Sequence, residues 1–165
     1  HGFQLWVNMP AKLKMTKPEY IYIDADKMST HKDDDKTVKV IAGKFEDAEG
    51  PVKGHNVEPV YFDVELGKEK EFNFDLPLTH NSLIYLVEGE IKVGEQDHDA
   101  VKDSTLIILT RGETLKVSCL TKAKFLLISG KPIGEPIARG GPFVMNTKAE
   151  ILQAVQDYHN DTFVK

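Results

Sequence analysis

Apolar and polar residues alternate along most of the middle of the chain. Successive side chains of a strand point to opposite faces, so such alternation predicts half-buried strands. The clearest case is residues 59–66, whose apolar face would be formed by Val60, Phe62, Val64 and Leu66. Similar short segments, several bounded by glycine turns, predict strands at residues 38–42, 72–76, 83–87, 91–93, 105–110, 115–119 and 124–129. Many short strands at this spacing predict an antiparallel sandwich or barrel.

The first part of the chain has a weaker pattern. Residues 3–9 alternate around Trp6, which predicts a half-buried strand. A second short strand is predicted at residues 20–23, and the charged stretch 24–36 is predicted to be a solvated loop. Because the chain starts at His1, close to its first predicted strand, we expect it to be part of a longer protein.

One helix is predicted, and it is the last element of the chain. Thr147 followed by Glu150 fits a capping box, in which each residue binds the backbone N–H of the other. The next apolar residues recur at helical spacing on one face, formed by Ile151, Val155 and Tyr158. We expect this stripe to cover part of the barrel or an interface with another lobe.

Composition and charge narrow the function classes. The chain has 165 residues, of which 41% are hydrophobic and 28% charged, as in ordinary packed domains. Its formal net charge of −5 disfavours direct nucleic-acid binding. No apolar run approaches the roughly 20 residues of a membrane-spanning helix, and the single Cys119 cannot form an internal disulfide. A cytoplasmic location is expected, with nuclear residence as an alternative in a eukaryote.

The residue types that carry chemistry have simple structural interpretations here. His31 and His55 lie in predicted loops, and His98 stands between two aspartates in a predicted hairpin turn. The three consecutive aspartates at 33–35 lack the ligand spacing of a calcium loop. Cys119 ends an alternating segment and is predicted to be a packed thiol. None of these patterns predicts a catalytic residue.

Three segments resemble the pirin family in sequence, order and separation. They are HGFQLWVNMP (1–10), GKPIGEP (130–136) and GPFVMNT (141–147). Pirins have two cupin barrels in tandem, so the resemblance implies an all-β, RmlC-like cupin double-stranded β-helix (jelly roll) with one carboxy-terminal α-helix. It also implies two parts: 1–36 as the tail of the amino-terminal cupin with the interdomain linker, and 37–165 as the carboxy-terminal pirin-type cupin domain.

The resemblance also implies where a metal would be held. In pirins three histidines and one glutamate of the amino-terminal barrel bind iron, upstream of the segment that resembles residues 1–10. The expected cofactor is therefore iron in that other domain, and none in this chain. The complete protein is expected to be an iron-dependent quercetin 2,3-dioxygenase or a redox-sensing regulator, whereas this chain alone is not expected to be an enzyme.

The second barrel does not encode its own metal site. The cupin pattern places its glutamate at Ser82, its paired histidines among residues 76–78, which are Leu, Pro and Leu, and its last histidine at Leu115. His80 and Glu88 cannot act together, because eight residues of extended strand span roughly 26 Å. His80 is kept as a candidate ligand-contacting residue, although a solvent-facing loop position is the preferred interpretation.

Three functions stay open on the sequence. The first is a non-catalytic lobe that packs against the metal-bearing amino-terminal pirin domain. The second is a protein-interaction module for a transcription-related partner, and the third is a barrel that binds a small ligand. The candidate interface residues are Trp6, Ile151, Val155 and Tyr158. A second copy of the chain is the alternative partner, with dimerisation through residues 1–10 favoured because unpaired strand edges associate readily.

Overall fold

A computed structural model describes residues 2–53, 56–95 and 99–164. These residues form two compact units. The sheet unit is Ile23–Pro132, and the terminal unit combines Tyr22 and the residues before it with Ile133 and the residues after it. The domain boundary predicted at residue 36 stays a prediction.

Two antiparallel sheets make up most of the sheet unit. The larger has six strands in the order β1-β2-β5-β12-β7-β10, and the smaller has four in the order β6-β11-β8-β9. A short hairpin of β3 and β4 stands beside them. The strand bounds are β1 (Ser29–Lys32), β2 (Lys36–Ala42), β3 (Lys44–Phe45), β4 (Ala48–Glu49), β5 (Val60–Leu66), β6 (Glu71–Asp75), β7 (Asn81–Glu88), β8 (Glu90–Val93), β9 (Val101–Lys102), β10 (Thr105–Ile108), β11 (Thr114–Cys119) and β12 (Ala123–Gly130).

The core of the sheet unit contains a cluster of aromatic rings contributed by both sheets. Phe62 of β5 meets Phe74 of β6 edge to face, with ring centroids 5.0 Å apart. Phe72 of β6 meets Phe125 of β12 in the same way at 5.6 Å, and it stacks on Phe45 at 5.4 Å. Edge-to-face and stacked pairs add to the energy of apolar burial. The alternating segments therefore form strands whose apolar faces enclose one common core.

The predicted strands in the middle of the chain are confirmed, but those near its start are wrong. Residues 3–9 and 20–23 belong to no strand in the structure. Alternation supplies an apolar face, but a strand also needs a neighbour with which to exchange backbone hydrogen bonds, and none of the described strands pairs with these segments.

The charged stretch 24–36 is more ordered than the predicted solvated loop. It contains a short 3₁₀ helix, Ala25–Lys27, and the edge strand β1, which pairs with β2. Asp33 shapes the turn that follows, because one carboxylate oxygen accepts hydrogen bonds from the N–H groups of Asp35 and Lys36, both at 2.8 Å. An edge strand needs no alternating apolar face, so the sequence pattern gave no sign of it.

The terminal unit contains the predicted helix. It comprises β13 (Ala138–Gly140), β14 (Phe143–Met145), α1 (Lys148–His159) and the 3₁₀ helix Ala11–Leu13. The capping box is confirmed: Thr147 Oγ1 accepts from the Glu150 N–H at 3.2 Å, and Glu150 Oε2 accepts from the Thr147 N–H at 2.7 Å. No helix among the described residues is long and apolar enough to cross a membrane.

The apolar stripe of α1 is less buried than predicted. The one buried residue of the helix is Ala154, whereas Ile151 and Val155 are half-buried and Tyr158 is 63% exposed. Ile151 packs against Gly140 of β13 so closely that a Cβ at that glycine would overlap its side chain. The helix therefore contacts its hairpin through Ile151 on Gly140 and through Tyr158, whose ring meets Phe143 of β14 edge to face at 6.0 Å.

Candidate functional site

Two of the positions that the cupin pattern assigns to metal ligands are occupied by buried leucines. Leu76, directly after β6, is 8% exposed, and Leu115 of β11 is 5% exposed. The two are held close because the Leu76 N–H donates to the Glu113 carbonyl at 2.7 Å. Leu78 is half exposed. These side chains carry no donor atom, so the place of a metal centre is filled by hydrocarbon.

A cavity of about 560 Å³ opens beside these leucines. Its apolar lining is formed by Leu76, Val93, Leu109 and Leu115, and its polar lining includes Thr110, Thr114 and Lys116. Lys116 also faces Glu71, with 3.4 Å between ammonium and carboxylate. The cavity is large enough for a small organic molecule, since ligand pockets are typically about 300–1,000 Å³.

The residues present do not fit an iron ion. A non-haem iron site needs imidazole and carboxylate groups that converge. Of the residues at the pattern positions, Ser82 alone is polar, and its hydroxyl already donates to Ser129 at 2.8 Å. Within the ranges that the structure describes, no three His, Cys, Asp or Glu residues are grouped so that they could hold a metal.

His80 is buried, which corrects the preferred interpretation of a solvent-facing loop residue. It lies in the turn before β7 and is 5% exposed. Its Nδ1 is 3.1 Å from Ser129 Oγ, and Ser129 stands opposite Ser82 in the ladder between β12 and β7. The turn folds inward because these two serines provide polar partners in the interior. The signal in the sequence was the presence of Ser82 and Ser129 in otherwise apolar strands.

The second ring nitrogen of His80 faces a carboxylate. Its Nε2 is buried without a hydrogen-bond partner among the described residues, and Glu58 Oε2 lies 3.9 Å away. The order Glu58, His80, Ser129 matches that of an acid, base and nucleophile. Ser129, however, is 3% exposed, so a substrate cannot reach it. His80, Ser82 and Ser129 therefore form a buried polar brace, while the Glu58 side chain beside it is 65% exposed. A ligand contact by His80 stays a prediction.

The other candidate residues are placed as follows. His31 is half-buried, with Nδ1 3.1 Å from Asp47 and Nε2 3.4 Å from Asp33. The hydrogen bond to Asp47, with the Asp33 carboxylate nearby, raises the pKa of His31 above its ordinary value. Cys119 is buried and its thiol contacts the Gly67 carbonyl, as expected for a packed thiol. His55 and His98 lie outside the described residues.

The terminal unit presents aromatic and aliphatic side chains to solvent. Trp6 is 73% exposed and Tyr20 is 91% exposed, with Ile21 and Tyr22 each at 73%. Monomeric proteins rarely expose contiguous apolar side chains without a partner for them. Of the predicted interface residues, Trp6 is the most exposed, and Tyr158 is 63% exposed while its ring meets Phe143 of β14. Ile151 and Val155 are half-buried.

Two packed antiparallel sheets with a terminal helix define a cupin-type domain, which confirms the predicted fold class. The structure matches the crystal structure of quercetin 2,3-dioxygenase from Acinetobacter baumannii with a TM-score of 0.87 and 34% identity, over 96% of this chain and 55% of that one. Residues 61–164 match the family model of the pirin C-terminal cupin domain. The chain belongs to this family.

Curated relatives agree with this assignment. The pirin-like protein of Caulobacter vibrioides is 40% identical over 164 residues, which are 98% of this chain and 58% of the relative. The pirin-like protein of Solanum lycopersicum is 36% identical over 159 residues, which are 95% of this chain and 54% of the relative. The chain thus spans little more than half the length of these relatives.

Proposed function

We propose that this chain acts as the metal-free carboxy-terminal cupin lobe of a pirin-like protein and packs against a metal-bearing amino-terminal lobe. The observation that supports this most is the hydrocarbon at the ligand positions. Leu76 and Leu115 are buried, and the Ser82 hydroxyl belongs to the brace with His80. A lobe built in this way contributes packing surface to the complete protein and no metal ligand.

The activity of the complete protein would then be iron-dependent opening of flavonols such as quercetin. The matched Acinetobacter baumannii structure is described as a quercetin 2,3-dioxygenase, and this chain aligns with 55% of it. Iron would supply the redox chemistry from the other lobe. The terminal unit offers the contact surface, because its exposed apolar side chains need a partner and Trp6 and Tyr20 are the most prominent of them.

The test combines metal analysis with complementation. The 165-residue chain, incubated with iron, should bind no stoichiometric metal and should not consume quercetin. Mixed with the amino-terminal portion of the Caulobacter vibrioides pirin-like protein, it should form a one-to-one complex. Trp6→Ser should weaken that complex, whereas Leu152→Ser, a matched loss of an exposed side chain on α1, should not. One tightly held iron in the isolated chain, lost on His80→Ala, would contradict the proposal.

The cavity beside Leu115 supports a second candidate function, the binding of a small, mostly apolar ligand. Its volume of about 560 Å³ is large enough for a small organic molecule, and its four aliphatic lining residues would contact the apolar part of that molecule. Quercetin titrated into the chain without metal should then raise its melting temperature, and Leu109→Trp, which puts a larger side chain into the cavity, should reduce the rise. An equal rise in both proteins would place the binding elsewhere.

A further inference from the structure

The turn of the β3–β4 hairpin is tied to strand β1 by one histidine. His31 lies in β1, and its Nδ1 is 3.1 Å from Asp47 Oδ1 in the turn. Its Nε2 is 3.4 Å from Oδ2 of Asp33, which directly follows β1. The His31 ring also meets the Phe45 ring of β3 edge to face, with centroids 5.3 Å apart. Both ring nitrogens therefore face carboxylates, and these carboxylates belong to two different parts of the chain.

The two carboxylates are held to different degrees. Asp33 Oδ1 accepts from two backbone N–H groups, and Asp33 Oδ2 accepts from Lys36 Nζ at 2.7 Å, so Asp33 keeps its place without His31. The Asp47 side chain is 89% exposed, and His31 is its one side-chain partner within the described ranges. The side-chain tether between the turn and β1 is therefore the contact of His31 with Asp47.

The backbone of the turn, residues 46–47, is strained. Glu46 has a φ of 48°, in the left-handed region that residues other than glycine seldom adopt. Such a conformation persists where the surrounding contacts hold it. Phe45, which precedes the turn, is 3% exposed and stacks on Phe72 in the core, so the base of the hairpin is fixed. The part of the hairpin that can move is the turn.

The protonation state of His31 sets the strength of the tether. The charged ring has an N–H for each carboxylate, whereas the neutral ring has one N–H and presents a lone pair to the other carboxylate. Asp47 and Asp33 are the charged groups that act on the ring, and Lys36 pairs with Asp33 behind it. The hydrogen bond to Asp47 is the largest cause that raises the pKa of His31. The stabilisation is therefore lost as the pH rises through this raised pKa.

A cavity of about 310 Å³ lies beside the turn. Two of its lining residues, Phe45 and Glu46, belong to the hairpin. The others belong to β6 and are Asn73, Phe74 and Asp75. The position of the turn that His31 holds therefore sets the width of the cavity on one side.

We infer that His31 makes the turn at residues 46–47 a pH-sensitive flap on this cavity. The charged ring holds Asp47 and keeps the flap closed, and the neutral ring releases it and opens the cavity. Because the ordinary pKa of histidine lies close to neutral pH, the change falls in a range that cells reach. The flap depends neither on a metal nor on an amino-terminal lobe, so it is independent of the function proposed above.

Hydrogen exchange measures the release of the turn. Ala48 directly follows the turn and pairs with Phe45. The protection of its amide, relative to an unfolded peptide at the same pH, should fall at least about threefold between about pH 5.5 and about pH 8. Asp47→Asn keeps an acceptor oxygen without the charge, so protection should be low at both pH values. Asp34→Asn removes an exposed carboxylate that is not among the described partners of His31, and it should behave as the wild type.

The small neutral nitroxide TEMPOL measures the opening of the cavity, because it broadens the NMR signals of groups that it reaches. Broadening of the Phe74 ring signals should increase with pH at the midpoint of the His31 titration, whereas the buried Phe125 ring should not change. Three results would each overturn the inference. They are pH-independent protection of Ala48 in the wild type, pH dependence that survives in Asp47→Asn, and Phe74 broadening whose midpoint differs from that of His31.

Discussion

Glu135 accepts a hydrogen bond from the backbone N–H of Ala11 at 2.7 Å, across 124 residues of sequence. The same carboxylate oxygen accepts from Asn146 Nδ2 at 2.9 Å. Ala11 directly follows the first of the three segments that resemble pirins, and Glu135 and Asn146 lie in the other two. One carboxylate therefore joins these segments in the terminal unit, which gives a physical reason for their occurring together.

The first prediction is that Glu135→Ala loosens this junction. The Ala11 N–H loses its acceptor, while Asn146 keeps its bond to the Pro136 carbonyl at 3.0 Å, so the expected loss is about 1–2 kcal/mol. Hydrogen exchange at the Ala11 amide should rise while exchange in β5 stays unchanged. Glu135→Gln keeps an acceptor oxygen, so exchange at its Ala11 amide should be faster than in the wild type and slower than in Glu135→Ala. Unchanged exchange at Ala11 in the alanine variant would show that the bond is not maintained in solution.

The second prediction concerns the pH dependence of His31. Its folded pKa is raised above the ordinary 6.5, first by the Asp47 hydrogen bond. The stabilisation is therefore fully present below the unfolded pKa and is lost as the pH rises through the folded pKa. His31→Gln should cost more stability at about pH 5 than at about pH 8. NMR titration should show the pKa of His31 falling in Asp47→Asn, and an unchanged pKa would contradict the assignment.

The third prediction corrects the expectation for the terminal helix. The stripe of Ile151, Val155 and Tyr158 was expected to cover part of the barrel or an interface, but Val155 is half-buried and Ala154 is the buried residue. Ala154→Asp should therefore cost about 2–4 kcal/mol. Val155→Asp should cost about 1 kcal/mol, and the exposed Leu152→Asp less than about 0.5 kcal/mol. Urea unfolding measures the loss in the free energy of unfolding for each variant. A larger loss for Val155→Asp than for Ala154→Asp would contradict the prediction.

The fourth prediction tests the brace around His80. Ser129→Ala removes the partner of His80 Nδ1 and of the Ser82 hydroxyl, and both groups are buried. The expected loss is about 1–3 kcal/mol in the free energy of unfolding. Ser82→Ala leaves the His80 contact in place and should cost less. If the two substitutions cost the same and add in the double variant, the three side chains do not act as one network.

How much the sequence could predict depended on the kind of signal. Alternation located β5 and the capping box located the start of α1, because both are local patterns with one dominant structural solution. The partners of a strand are not local, so the alternation at residues 3–9 predicts a strand that the structure does not contain. For the same reason the polar strand β1 was missed, since backbone pairing with β2 defines it.

The sequence could likewise predict some features of the candidate site and not others. The absence of metal-binding side chains at residues 76–78, 82 and 115 could be predicted, because it depends on residue identity alone. The burial of His80 could not, because it depends on the ladder that sets Ser82 opposite Ser129. Nor could the sequence indicate that Glu135 would meet Ala11, since a contact across 124 residues leaves no periodic trace.

The last prediction tests the surface proposed for the amino-terminal lobe by removing residues 1–10. This segment was expected to pair with another copy as a strand, but it forms no strand and leaves Trp6 73% exposed. A chain starting at Ala11 should lose binding to the amino-terminal lobe of a pirin-like relative, because Trp6 is gone. Sedimentation of the truncated chain with the added lobe measures this binding. A truncated chain that binds the lobe as tightly as the 165-residue chain would show that residues 1–10 are not part of the contact surface.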